Sequence, residues 1–581
     1  MRVTTTKSKN SESFYINFAY VDKNGKSTSR IYRKLGTLKE LSEKLGTDRD
    51  GVMAWAKEQA RIATLEYNKE KESVSIPFAP GRIIEKDAQR SFNCGYLFIQ
   101  SILSELRFDN VFRNIKNRHK NNYDLKAIFS DLICSRVLHP SSKRSSYDFA
   151  QTLLEQPTYN LHHIYRALSI LAQESDYIQA ETYRNSNFIH KRNTKILYYD
   201  CTNYYFEIEQ EENSKKYGKS KEHRPNPIIG MGLFMDADGY PLAFDLYPGN
   251  QNEQLSLKPL EQKVIRDFGC SEFVFCSDSG LGSQKNKLFN DIGTRSYVIT
   301  QSLKKLKKED RDIALDPRQY RRLGSDQLIN LEDLDEEDQE VFNSIYYKEV
   351  PVEGKSISET LIVTYSPKYK EYQKKIRQAQ IDRAMKMIGE GGKPKKNRKN
   401  PNDPARFIRK TSVTENGEIA DSAFWEMDQD VIDREEMYDG FYAVTTDMES
   451  DVSEIIAINK RRWQIEECFR IMKTEFEARP VYLQLDDRIK AHFLICFLSL
   501  LVYRILETKL GNRYTVEETL DTIRNMNVCE IQGYGYIPTY KRTDLTDDLH
   551  ERFGFRTDTE IIRKSKMREM INKSKTKKKL L

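Results

Sequence analysis

The run Lys195-Ile-Leu-Tyr-Tyr-Asp200 decides the fold of this chain. It reads as an apolar strand that ends on a carboxylate, and Phe273-Val-Phe-Cys-Ser-Asp278 repeats the pattern. Between them, Ile228 to Met235 and Tyr240 to Tyr247 flank Asp236-Ala-Asp-Gly239, a hairpin signal. The stretch from about Glu253 to Phe268 reads as a helix, and Arg295 to Thr300 as one more strand. This order predicts a mixed α/β domain with its active groups at strand ends. A lone strand-end Asp is ordinarily a turn or capping residue, and Asp236 and Asp238 are that case because they sit in a hairpin turn. Asp200 and Asp278 differ, since two strand-end aspartates can lie side by side in one sheet.

Further along stands Asn459-Lys-Arg-Arg462-Trp-Gln-Ile-Glu466-Glu-Cys-Phe-Arg-Ile-Met-Lys473. At 3.6 residues per turn, Arg462, Glu466 and Lys473 fall on one helical stripe. Ile465, Phe469 and Met472 form an adjoining face that can be buried. Glu467 points with Trp463 and Arg470, off that stripe. Alone, an Arg462–Glu466 pair is a solvated ion pair contributing a few tenths of a kcal/mol. Set beside two strand-end aspartates, it acquires a second reading. Three carboxylates are hard oxygen ligands that suit Mg²⁺ or Mn²⁺, and the flanking cations Arg462 and Lys473 suit DNA phosphate. Two such ions about 3.5–4 Å apart serve in-line displacement at phosphorus.

Outward from these elements, the chain divides into expected regions. Residues 1–90 read as a small N-terminal α/β module. Phe14 to Val21 is strand-like, Asp22-Lys-Asn-Gly25 is a turn, Arg30 to Leu35 is a return strand, and Thr37-Leu-Lys-Glu40 is a capping box. Residues 91–190 turn helical, with the basic break His139-Pro-Ser-Ser-Lys-Arg144 between stripes. That pattern fits a helix-turn-helix-like DNA-binding region and fits an ordinary packing layer equally well. Residues 191–302 hold the first part of the catalytic core and 440–510 the second. Residues 303–439 interrupt them as a charged insertion subdomain, with a strand at Thr360 to Thr364 and a helix from Tyr369 to Met387. Residues 511–581 form a C-terminal region with a basic tail.

Composition narrows the function classes. Charged residues make up 31% of the 581, mean hydropathy is −0.71, and net charge is +7, which allows nucleic acid without requiring it. Lys393 to Lys410 and Arg563 to Lys579 are densely cationic, against the acidic run Glu332-Asp-Leu-Asp-Glu-Glu-Asp338. The eight cysteines form no Cys-x-x-Cys pair and read as reduced and mostly buried, with a cytoplasmic location and no membrane expected. The longest apolar run, His492 to Leu506, is short for a bilayer and reads as a buried helix. There is no Gly-x-Gly-x-x-Gly after a strand and no P-loop, so nucleotide chemistry lacks support.

The ordered set of a strand-end Asp, a strand-end Asp and a helix Glu resembles the DDE transposases of the IS4 group, most closely the IS1634-like branch of insertion-sequence transposases. That signature runs Tyr, two residues, Arg, three residues, Glu, six residues, Lys. Arg462, Glu466 and Lys473 match it, and Asn459 stands where the family has Tyr. Tyr199-Asp200-Cys-Thr-Asn, Ser277-Asp-Ser-Gly-Leu281, Tyr365-Ser-Pro-Lys368, Tyr438-Asp-Gly-Phe441 and Arg479-Pro-Val-Tyr482 add to the likeness. The resemblance implies an RNase H-like mixed-sheet catalytic core interrupted before the glutamate helix, with Asp200, Asp278 and Glu466 as catalytic metal ligands. It also implies two Mg²⁺ ions (Mn²⁺ substituting), cleavage at element ends, 3′-OH attack on target DNA, and a homodimer on DNA. Trp425, Phe424 and Tyr442 are aromatics that could stack on a displaced base, though packing suits them better. The rival readings are an RNase H-like nuclease without strand transfer and a catalytically inactive DNA-binding protein.

Overall fold

A computed structural model of the chain describes residues 1–8, 11–21, 27–71, 74–353, 357–389, 402–413 and 419–576. The Asp22–Gly25 turn, much of the 393–410 cationic stretch, the end of the basic tail and the side chain of Phe424 lie outside those residues. The chain falls into two compact units, Met1–Ala88 and Gln89–Leu581.

In the first unit, strands Arg2–Ser8, Ser11–Val21 and Ser27–Thr37 form an antiparallel sheet. Helices Leu38–Leu45 and Arg49–Lys71 follow. Thr37 caps the first of them with both bonds of the capping box, because its side chain accepts from Glu40 and its backbone N–H donates to the Glu40 carboxylate.

The second unit is built on a ten-stranded mixed sheet. Its strands are β1 (Ile196–Tyr205), β2 (Ile228–Asp236), β3 (Pro241–Pro248), β4 (Val274–Ser277) and β5 (Ser296–Thr300). Then come β6 (Tyr320–Arg322), β7 (Leu328–Ile329), β8 (Tyr346–Glu353), β9 (Ser358–Tyr365) and β10 (Phe441–Thr446). The spatial order is β7-β6-β8-β9-β10-β5-β4-β1-β2-β3. The β1–β4 and β4–β5 pairs are parallel; the others are antiparallel. A large mixed sheet of this kind is consistent with an RNase H-like core. Four strands between residues 320 and 365 extend that same sheet, where the sequence pattern marked only the stretch at 360–364. β6 and β7 were hidden by their length of three and two residues, and β8 by the charges Lys348 and Glu349 among its apolar residues; Glu349 lies 3.6 Å from Arg321 of β6. The insertion also holds helix Pro367–Gly389 and a two-stranded ribbon, Ile408–Val413 with Ile419–Met427.

Both faces of the sheet are covered, so its central strands read as long apolar runs. Every residue of β2 is buried. Leu197, Tyr199 and Cys201 point to the face packed by α1 (Gln254–Phe268). There the Tyr199 hydroxyl meets Ser256 at 2.7 Å. Gly232 makes that possible, since a Cβ there would stand 2.2 Å from the Tyr199 oxygen. Tyr198, Tyr204 and Cys276 point to the opposite face. That face carries α2 (Val452–Lys460), α3 (Trp463–Thr474) and α4 (Asp486–Lys509).

At 24 residues, α4 is longer than the apolar run that marks it, and by length and composition it could cross a membrane. Here it is packed inside protein, with Ile489 and residues 491–506 buried. Helices Leu125–Leu138 and Leu161–Gln173, from the 91–190 region, pack against it.

Candidate active site

The register of β1 on β4 pairs Ile196 with Val274 and Tyr198 with Cys276. Continued by two residues, it sets Asp200 opposite Asp278, just past the last residue of β4. Side chains alternate along a strand. Asp200 therefore shares the face of Tyr198, and Asp278 that of Cys276, which is the face α2 and α3 cover. Two bonds seat those helices. The Tyr198 hydroxyl donates to the Ile458 carbonyl at 3.0 Å, and the Tyr204 hydroxyl approaches the Met472 sulfur at 4.0 Å. Ile465, Cys468, Phe469 and Met472 are buried beneath, as the apolar face of α3 requires.

Both aspartates are partly buried. Asp200 Oδ1 accepts from the Cys201 N–H at 2.7 Å, and Asp278 Oδ1 from the Gly280 N–H at 3.0 Å. A Cβ at Gly280 would press the Asp278 carboxylate at 3.2 Å, so the turn leaves that carboxylate room only by having no side chain. Burial raises the Asp200 pKa; Lys221 opposes the rise, the Asp278 charge adds to it, and the net value is about 6.

Arg462 and Glu466 pair one helical turn apart, as the stripe predicts, but the run from Asn459 to Lys473 is not one continuous helix. The segment is two helices, broken at Arg461–Arg462, with Asn459 on the first and Arg462 as N-cap of the second. Neither glycine nor proline marks the break. Arg462 Nη1 lies 3.2 Å from Glu466 Oε1. Burial works against the Arg462 charge, but Tyr442, Glu466, Asp200 and Asp278 outweigh it, and its pKa is raised. Arg462 is thus the cation that all three carboxylates share. Glu466 keeps a side chain 58% exposed, whereas that of Arg462 is 21% exposed.

The structure brings the two aspartates together and holds Glu466 at Arg462. Among the described residues, Asp547, His550 and Asp558 have ligand atoms all within 4.8 Å of one another, and Asp200, Asp278 and Glu466 do not. That first trio is structural, because Arg542 and Arg556 already pair with both its carboxylates. Glu467 turns away from the site to Arg504 on α4, at 2.8 Å.

Lys473 reaches the site from the far end of α3. Its ammonium lies 3.2 Å from Glu222 Oε1, and Arg479 contacts the other oxygen of that carboxylate. Burial, with Lys221 nearby and Asp200 opposing, lowers the Lys473 pKa to about 8. Lys221 and Glu222 are site residues that the sequence pattern did not single out. They sit in the long β1–β2 connection, where no periodicity marks them. Lys221 Nζ donates to the Cys201 carbonyl and lies 3.7 Å from Glu253. Burial opposes its charge, yet Asp200, Glu253, Cys201 and Asp278 raise its pKa overall. Tyr442 donates to or accepts from Thr300 Oγ1 at 2.9 Å, and Asn459 Oδ1 lies 3.5 Å from the same hydroxyl. Trp425 sits on the insertion ribbon, in register with Lys410.

Asp200 does not end its strand as the sequence pattern suggested, because β1 continues through it to Tyr205, while Asp278 follows the last residue of β4. This carboxylate pair on rigid backbone, with Lys221 acting on both charges, has the donor chemistry a hard divalent cation requires. The family model described as "Transposase DDE domain" matches residues 206–502, just over half of the chain. The chain belongs to the DDE-domain transposases. The matched span includes Asp278 and Glu466 and begins six residues after Asp200. Among solved structures, the transposase is similar to the piggyBac transposase synaptic complex with hairpin DNA. Identity is 9%, with 83% of this chain and 84% of that chain covered, at a TM-score of 0.34. No curated protein matches it.

Proposed function

We propose that this transposase cleaves DNA at the ends of an insertion sequence and joins the freed 3′-OH to target DNA, as an IS4-group, IS1634-like enzyme. The reading rests on one observation above all: the β1–β4 register sets Asp200 beside Asp278, on the face where Arg462 and Glu466 lie. Asp200, Asp278 and Glu466 are the proposed ligands for two ions of the Mg²⁺ class, with Mn²⁺ as substitute. When bound, such ions activate the attacking oxygen and stabilise the leaving one.

The protein's own groups do the rest. Asp200 and Asp278 are fixed by strand geometry and by their backbone N–H bonds, so they enter the reaction without reorganising. Arg462 is a bidentate phosphate ligand in waiting, since its partner Glu466 is exposed and free to exchange. When Arg462 takes a phosphate oxygen, Glu466 is released toward the aspartates. Lys473 holds a second phosphate as a point charge, and α2 and α3 exclude water from one side. Pairing of two ends by a homodimer and a cytoplasmic, nucleoid-associated location follow from the same family reading.

A joining assay separates this reading from a nuclease. The full chain, Mg²⁺, a pre-cut duplex with a free 3′-OH end and a target plasmid should give covalently joined product. Cutting of uncut ends without joining of pre-cut ends would instead favour the nuclease. In a gel shift, Lys473→Glu should weaken the end complex while the fold stays intact; an unchanged profile removes its phosphate role.

A further inference from the structure

The break His139-Pro-Ser-Ser-Lys-Arg144 and the Arg479-Pro-Val-Tyr482 stretch, far apart in sequence, meet at one cavity of about 90 Å³. A single water needs about 10–15 Å³ of such space, so the cavity has room for a tetrahedral oxyanion. Exposed Tyr482 and Glu477 and partly buried Ser141 form its rim. Its floor is cationic. Arg136 and Lys143 are 3% and 5% exposed, and among the described residues no carboxylate lies within ion-pair distance of either.

Their partners are neutral. Arg136 donates to the Phe476 and Ser141 carbonyls at 2.9 Å, and its Nε has no partner. Lys143 Nζ lies 3.3 Å from His492 Nδ1. His492 Nε2 faces the Ala478 carbonyl at 3.1 Å, which can only accept, so Nε2 carries the proton and Nδ1 accepts from Lys143. The imidazole is neutral, held far below its ordinary pKa by burial and by Lys143 and Arg136. Burial and the neighbouring Arg136 lower the Lys143 pKa to about 7. Buried charges are ordinarily paired. Two other buried cations follow that rule, since Arg504 meets Glu467 and Glu507 and Arg377 meets Asp439.

We infer that this cavity binds one phosphate group, with Lys143, Arg136 and the Ser141–Ser142 hydroxyls as its donors. Arg479, whose Nε is also unpartnered, lines the cavity and contacts Glu222, which in turn contacts Lys473. A backbone phosphate of DNA lying across the candidate active site is therefore one source, and free inorganic phosphate is the other. Only the DNA source rests on the function proposed above.

The test begins with the unaltered full chain. Its melting temperature in sodium phosphate should exceed that in sodium chloride of equal ionic strength by about 2 °C or more. Lys143→Met should lose that increment, Lys143→Arg should keep it, and Ser141→Ala, which leaves the buried cations in place, should reduce it. The salt dependence of duplex binding then identifies the source. A slope of log K against log[salt] that is smaller by about one in Lys143→Met assigns a DNA phosphate, and an unchanged slope assigns free phosphate. Equal melting of the unaltered chain in both salts, or a phosphate increment that survives Lys143→Met, overturns the site. None of these readings depends on cleavage, so an inactive Glu466→Gln variant would leave them unmoved.

Discussion

Two aspartates on neighbouring strands of one sheet are treated in opposite ways. Asp236, at the end of β2, is sealed in with Arg192; both side chains are 1% exposed or less. Its Oδ1 also accepts from the Asp238 and Tyr240 N–H groups. Asp200, on β1, lies instead beside a second carboxylate, with Lys221 and Arg462 as its nearest cations. The first arrangement closes its own charge balance and terminates a hairpin. The second sets two carboxylates side by side on rigid backbone, so that each opposes the other's charge. The contrast separates a carboxylate kept for structure from one kept for a cation, though both follow apolar runs, Asp236 at the end of β2 and Asp200 inside β1.

Substitutions can break that contrast. Asp278→Asn should lower DNA cleavage by roughly 10³-fold or more. It should leave metal-free melting unchanged or raised, because it removes a like charge from Asp200. A fall in melting temperature would place Asp278 with the structural class. Asp236→Asn should do the reverse. It strands the buried Arg192 and should cost about 3–5 kcal/mol in chemical denaturation, with cleavage per folded molecule preserved.

The neighbours Glu466 and Glu467 repeat the comparison on one helix. Glu467→Gln weakens its ion pair with the largely buried Arg504 and should cost about 1–3 kcal/mol, without changing cleavage. Exposed Glu466→Gln should leave stability within about 0.5 kcal/mol.

Glu261 on α1 sharpens the comparison with a third solution, a buried carboxylate kept neutral. It is fully buried, accepts from Asn290 Nδ2 at 3.2 Å, and its Oε1 has no partner. Burial raises its pKa to about 8, against the pull of Asn290 and Arg295. In the unfolded chain it ionises near 4.5, while the folded chain keeps the proton. Its contribution therefore falls as pH rises from about 4.5 to about 8. Glu261→Gln should melt higher than the parent at pH 8 and alike at pH 4. Equal differences at both pH values would mean that Glu261 is ionised when folded.

What the sequence revealed followed the range of the interactions. Asp200 and Asp278 stood out because an apolar run followed by a carboxylate is a local pattern, but the continuation of β1 past Asp200 to Tyr205 was not legible in that pattern. The split between Glu466 and Glu467 was legible because helical periodicity is local too. The break at Arg461–Arg462 was not, since it is set by packing of α2 and α3 on β1. β6 and β7 are too short for any period to show, and β8 breaks its apolar pattern with Lys348 and Glu349. Lys221 acquires meaning from residues on other strands and loops, and Glu222 and the buried Arg136–Lys143 pair from residues hundreds of positions away.

The most direct measurement is nicking of labelled element-end DNA by the purified chain, with Mg²⁺ or with EDTA, beside Asp278→Asn and Glu466→Gln. The account expects metal-dependent nicking at the end junction by the unaltered chain and loss of it in both variants, with end binding retained. Unchanged nicking by Glu466→Gln would contradict the third carboxylate. Binding of ends without cutting by any of the three, in Mg²⁺ and in Mn²⁺, would contradict the catalytic claim and leave a DNA-binding protein.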